Sequence, residues 1–496
     1  MKWFTEPLKE IADYRYLLEN IKNRETPVLA TGVIDVQKTQ MIYALHKEIG
    51  KTSLIISHDD AAARAIYNDI SSFDEKAVFY PSKDFIFYSA DVHSSDITRQ
   101  RFKAVDDIIR GEAGIVCTTA EALLERLMAK EDMQSLVFEL REGDIIPIDK
   151  LVEKLVYMGY ERSDSVEGVG QFALRGGIVD IYSPVHETAV RIEFWDDEVD
   201  SVRSFDVMSQ RSLSKLEYLR VFPVKEIVFD QKAAEEAAED MEKDMAKAVK
   251  NYEKKDMAEA AENIKITVKE AAERLRNNMG GTEAFINYVT VKTASLFDYL
   301  PEGSLIFYDE PKKMKAHVDT VYSEFAESMK ERLQSGYILP KQTGIIFTID
   351  DIYSFSSKFR EVLLCSVPQS LPDFRLKGLY NFTVKSSTAF NSKFEMFYDE
   401  VKYLKDEDYR IVIFGGGESR CFRIASELSD RGINAALVGE GQEFVPVKGG
   451  VYICRGRLSK GFEYSDIKFA VFSLSELTGE QGLKRRKKRV KKGKAI

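Results

Sequence analysis

Phe172-Ala-Leu-Arg-Gly-Gly-Ile-Val-Asp180, followed by Val190-Arg-Ile-Glu-Phe-Trp-Asp-Asp-Glu-Val-Asp200, alternates as two short strands do. Phe172 and Leu174 precede the Gly176-Gly177 kink, and Val190, Ile192 and Phe194 share one face of the later strand. Arg191, Glu193 and Trp195 then fall on the opposite, outward face. A core has no use for an arginine and a tryptophan there. Outward Arg beside outward Trp is a hot-spot composition: the ring supplies apolar area and the guanidinium a planar fork of donors. The simpler reading is a surface cation–π pair. The spacing predicts a small antiparallel module over residues 136–222.

On either side of this module the pattern changes to strands alternating with helices, which argues for a parallel sheet. Pro27-Val-Leu-Ala30, Ser53-Leu-Ile-Ile-Ser57, Ala77-Val-Phe-Tyr80 and Gly114-Ile-Val-Cys-Thr118 read as strands. Helices are expected over 36–49, 59–73 with Asp59 as N-cap, and 120–130. From Gln231 to Asn278 the chain is rich in Ala, Glu, Lys and Met without proline or glycine, a helical pair ending at Gly280-Gly281. Leu305-Ile-Phe-Tyr-Asp309 returns as a buried strand. The expected organisation is one α/β domain, 1–135 and 223–345, interrupted by the module at 136–222. A second small α/β domain follows at 346–478, and a basic linker or tail at 479–496.

Gly32-Val-Ile-Asp-Val-Gln-Lys-Thr39 lies between a strand and a helix and nearly fits the phosphate-loop pattern. Gln37 stands where the second glycine would let the backbone wrap a phosphate. Lys38 could still meet a phosphate, Thr39 could ligate Mg2+, and Asp309 and Glu310 could supply the metal-side carboxylates. The expected nucleotide site, Gly32, Lys38, Thr39, Asp309 and Glu310, is therefore vestigial, with weak nucleotide binding and hydrolysis left open. Gly415-Gly-Gly417 reads as a tight strand-to-helix turn, since Arg420 breaks the dinucleotide pattern.

Composition excludes other classes. With 496 residues, 44% of them hydrophobic, the chain can build three or four cores. No run of 18 apolar residues occurs and the start lacks an apolar leader, so a cytoplasmic protein that does not enter a membrane is expected. Cys117, Cys365, Cys421 and Cys454 are too dispersed for a zinc knuckle or a disulfide framework. The five histidines show no ligand spacing, and no metal is expected. The net charge of −10 includes nine lysines and arginines between Lys484 and Lys494, so the remainder is more acidic still and should repel a phosphate backbone.

The run from Gly170 to Phe229, with Phe205-Asp-Val-Met-Ser-Gln-Arg-Ser-Leu213, resembles the UvrA-binding domain shared by UvrB and the bacterial transcription-repair coupling factor family. The likeness extends along almost the whole chain and includes Phe297-Asp-Tyr-Leu-Pro301. The stretch Phe85–Asp91 passes directly to Ser94–Arg101, without room for UvrB's aromatic hairpin, so the coupling factors are the better match. The resemblance implies a UvrB-like vestigial P-loop α/β domain carrying an inserted α+β module that recruits UvrA. It places that contact on Arg175, Arg191 and Trp195, with a tryptophan where relatives hold phenylalanine. It further implies an N-terminal fragment, monomeric, without catalytic residues or a cofactor of its own. ATP, Mg2+, RNA polymerase and double-stranded DNA would engage domains beyond it. The rival reading is an ATP-dependent UvrB-like helicase or translocase.

Overall fold

The computed structural model describes residues 1–83, 95–277, 283–289, 292–387, 390, 393–439 and 442–473. The stretch Phe85–Asp91, the helix stop at Gly280-Gly281 and the basic tail at 479–496 lie outside the described residues. Seven parallel strands form the central sheet, in the order Gly378–Asn381, Val28–Thr31, Arg360–Cys365, Leu305–Asp309, Ser53–Ser57, Ile115–Thr119 and Ala77–Tyr80. Five of the seven, the strands at 28–31, 53–57, 115–119, 305–309 and, after its first residue, 360–365, are buried throughout. Near-continuous apolar runs are what a sheet covered on both faces requires. The expected break at 345 is corrected here: Arg360–Cys365 pairs between Val28–Thr31 and Leu305–Asp309, in the middle of this sheet. Parallel neighbours are set by long-range pairing, which local patterning does not encode.

Helices Asp35–Ile49 and Asp60–Ser71 form as the periodicity predicts, and the Asp59 carboxylate caps the second by accepting from the Ala62 N–H at 2.7 Å. The helix expected over 120–130 is replaced by a 3-10 turn, Glu121–Leu124, a two-residue strand, Leu127–Met128, and a helix from Lys130. Tertiary pairing overrides propensity there. Leu127–Met128 pairs with Thr293–Ala294, and the Leu124 carbonyl accepts from Phe347 N–H at 2.7 Å. Gln231–Glu253 and Ala258–Arg276 make an antiparallel helical pair whose inward faces are largely alanine, joined where Asp256 takes φ 55°.

The module is a six-stranded sheet ordered Ser212–Lys215, Glu198–Phe205, Ala189–Trp195, Ile178–Ile181, Gln171–Arg175 and Glu161–Arg162. Its pairs are antiparallel except the last. Phe172, Val179, Ile181, Val190, Ile192 and Val202 line its buried face and join the main core. A further mixed sheet holds Arg410–Phe414 between Phe469–Ser473 and Val451–Cys454, with Ala435–Val438 at one edge. Among the described residues no helix is long and apolar enough to cross a membrane. All four cysteines are buried free thiols.

Gly32 shows why one glycine of the phosphate-loop pattern persists. It has φ +75°, and a Cβ there would sit 2.0 Å from the Phe382 carbonyl oxygen. That backbone belongs to the chain leaving the outer strand, where Phe382 N–H donates to Thr31 O at 2.9 Å. Gly32→Ala is therefore expected to destabilise by about 2 kcal/mol or more through strain and displacement of the 380–382 backbone. A urea midpoint equal to the parent's would contradict this account.

Candidate partner-binding face and the phosphate-loop remnant

The near-match to the phosphate-loop pattern is closed from both sides. The helix begins at Asp35, so only Gly32, Val33 and Ile34 are left to form a loop. The N–H groups of Gln37 and Lys38 already donate to the Ile34 carbonyl, at 2.9 and 3.3 Å. A phosphate cradle needs such donors free. Gln37, wholly buried, donates through Nε2 to the Tyr464 hydroxyl at 2.7 Å, and that hydroxyl donates to Gln40 Oε1 at 3.0 Å. The residue at the place where the pattern has glycine thus joins this helix to the further sheet.

Lys38 does meet both carboxylates named from sequence. Its Nζ lies 2.7 Å from Asp309 Oδ1 and 2.7 Å from Glu310 Oε1, with all three side chains nearly buried. The Glu310 carboxylate also accepts from Ser366 N–H at 2.8 Å. Burial alone would lower the Lys38 ammonium, but Asp309 and Glu310 outweigh it and hold it above the ordinary lysine value. Burial would raise the Glu310 carboxyl, and Lys38 and Ser366 bring it below the usual range. The ammonium therefore neutralises the carboxylates that would face a metal in a working site. Thr39 is buried within the same helix.

On the module, the outward face is organised by cross-strand rows. Ala173, Asp180, Arg191, Arg203 and Lys215 stand opposite one another, as do Arg175, Ile178, Glu193 and Ser201. The pairing shifts between Glu193 and Phe194, after which Trp195 faces Glu198 at the end of the hairpin. Trp195 is 81% exposed, far more than ordinary packing leaves an indole. Arg175 is exposed, and its Nε and Nη2 donate to the Asp164 carbonyl at 3.0 and 2.6 Å.

Arg191 is not the free cation its outward position suggested. Its fork grips the buried Asp180 through Nε–Oδ1 at 2.7 Å and Nη2–Oδ2 at 2.8 Å, and its guanidinium lies 4.7 Å over the Phe205 ring. Only 17% of its side chain is exposed. The hydrogen bond to Asp180, with its charge, raises the Arg191 pKa further and keeps the guanidinium charged. Strand alternation gave the side of the sheet; the partner Asp180 comes from the register of the neighbouring strand. Arg203, directly opposite Arg191, is exposed and was not singled out from sequence, although the alternation Val202-Arg-Ser-Phe205 points it outward.

A second polar constellation had no signal in the sequence. Arg101, on the helix Ser95–Ile109, is 1% exposed; it donates to Glu125 at 2.9 and 2.6 Å, to Glu226 at 2.9 Å and to the Pro81 carbonyl at 2.9 Å. Its guanidinium lies 4.3 Å over the Tyr80 ring, and Lys83 adds a 2.5 Å ion pair to Glu226. Burial raises Glu125; against the same burial, Arg101 and Lys83 bring Glu226 down to about 2. The same helix sends Arg99 to the His186 carbonyl at 2.6 Å and accepts Arg220 on Asp106 at 2.7 Å. It is the shelf on which the module sits.

A β-module with an exposed indole at a hairpin end and a row of cations further along its strands is inserted between strands of a parallel α/β sheet, and residues 138–227 match the UvrB interaction domain. The chain carries a segment similar to that domain. Beyond the module, its similarity is to transcription-repair-coupling factors. That of Bacillus subtilis (strain 168) is 28% identical over 477 residues, covering 95% of this chain and 40% of its own length. That of Staphylococcus haemolyticus (strain JCSC1435) is 26% identical over 472 residues, covering 93% and 39%. That of Staphylococcus epidermidis (strain ATCC 12228 / FDA PCI 1200) is 25% identical over 470 residues, again covering 93% and 39%. The chain thus spans about 40% of the length of the curated relatives it matches.

Proposed function

We propose that the chain is the repair-facing part of a transcription-repair coupling factor, recruiting UvrA through the outward face of the module, and that it hydrolyses no nucleotide. The observation that carries this reading is Trp195, an indole left 81% exposed on a domain of the UvrB-interaction kind. Trp195 is the apolar anchor in this reading. Arg175 lies two strands away, and Arg191, clamped to Asp180, braces the sheet between them. RNA polymerase, double-stranded DNA, ATP and Mg2+ belong to the remainder of the relatives' length. A UvrB-like helicase would need loop N–H donors free for phosphate, and those of Gln37 and Lys38 are bonded to Ile34.

The test is equilibrium binding of the whole chain to purified UvrA. Trp195→Ala is expected to weaken it at least tenfold, the range of a central aromatic anchor, at an unchanged urea midpoint. Arg191→Ala is expected to weaken binding and also to lower stability by about 3 kcal/mol, because it strands the buried Asp180 carboxylate. Full-strength binding by Trp195→Ala would reject the face.

A further inference from the structure

We infer that Arg203, rather than Arg191, is the guanidinium that meets the partner, and that it takes a carboxylate on UvrA. This rests on the reading of the module's outward face as the UvrA-binding surface. Arg203 is flanked in register by Arg191 on one strand and Lys215 on the other. Like charges directly opposite in a sheet repel. The one acid of that row is already taken, since Asp180 holds Arg191 at 2.7 Å, and the Lys215 ammonium lies 2.5 Å from Glu142, outside the sheet. Among the described residues Arg203 has no hydrogen bond or ion pair, and it is exposed. An arginine held between two cations gains nothing inside the chain, whereas a bidentate carboxylate from outside would satisfy its fork and relieve the repulsion.

The surroundings fit a protein partner. Met208 and Leu213, from the turn and edge strand beside Arg203, are 91% and 59% exposed. They place apolar area on the far side of Arg203 from Trp195. Arg191 is by contrast a positioning residue: its clamp on Asp180 ties the strand that carries Trp195 to the neighbouring strand Ile178–Ile181.

Binding of the whole chain to purified UvrA, at low and moderate salt, separates the two arginines. Arg203→Ala is expected to weaken binding about tenfold and to reduce its salt dependence, and Arg203→Glu to weaken it further. Neither should lower the urea midpoint, since a like-charge contact is removed. Arg191→Ala should weaken binding only together with a lowered midpoint. If Arg203→Ala and Arg203→Glu bind as the parent does while Trp195→Ala is weakened, the assignment to Arg203 is overturned and the face stands. If the parent itself does not bind UvrA, both fall.

Discussion

Arg101→Met is expected to destabilise the protein by about 3–5 kcal/mol, one of the two largest single-residue effects in the chain. The side chain is 1% exposed and is the shared cation of Glu125 and Glu226, whose side chains are only 10% and 11% exposed. Methionine roughly matches the aliphatic stem but leaves Glu125 without a cation and Glu226 with Lys83 alone. Stranded buried carboxylates must then ionise without compensation or take up protons. Because Glu226 lies just beyond the strand Tyr218–Val221, the loss should loosen the exit of the module from its supporting helix. Urea denaturation should show the lowered midpoint, and limited proteolysis should show faster cleavage between 222 and 230. Adding Glu125→Gln and Glu226→Gln to Arg101→Met should recover much of the loss, since neutral amides do not need the guanidinium. An unchanged midpoint for Arg101→Met would sink this account of the joint.

Lys38→Met tests the remnant and should cost a similar amount, about 3–5 kcal/mol, by leaving Asp309 and Glu310 facing each other in a buried place. The sign with pH follows from the two shifted groups. Lys38 is raised, so its contribution is full below the unfolded lysine pKa and is lost as pH rises through the folded one. Glu310 is lowered, so its contribution is full above the unfolded carboxyl pKa and is lost as pH falls through the folded one. The stability gap between parent and Lys38→Met should therefore be widest near neutrality and narrow at both extremes. With the loop N–H groups bonded to Ile34 and Lys38 paired to both carboxylates, ATP with Mg2+ is expected to leave the melting temperature of both proteins unchanged. A nucleotide-dependent rise in the parent, abolished by Lys38→Met, would instead make Lys38 a phosphate ligand, because a ligand that binds only the folded state stabilises it by mass action.

Both effects concern residues whose chemical type was plain in the sequence but whose role was not. Lys38, Asp309 and Glu310 were legible as members of one site because the phosphate-loop pattern and a buried strand ending in two acids are local signals. That the ammonium would fill the site itself required Leu305–Asp309 to lie two strands from Val28–Thr31, with Arg360–Cys365 between them. Gln37 read as a lost glycine; in the fold it is a donor to Tyr464, 427 residues away. Arg101 gave no sign at all, since a charged residue on an amphipathic helix ordinarily faces water.

The alternation Phe172–Asp180 and Val190–Asp200 by itself determined that a two-faced sheet would present Arg191 and Trp195 outward, because a period of two is a property of the strand alone. The parallel α/β class was likewise set by the order of apolar runs and amphipathic helices. Only the tertiary structure decided which outward arginine is free. Arg191 is clamped by Asp180 and Arg203 is stranded between cations because register joins residues distant in sequence. A charge takes its role from the neighbours that register provides, and no local pattern records those.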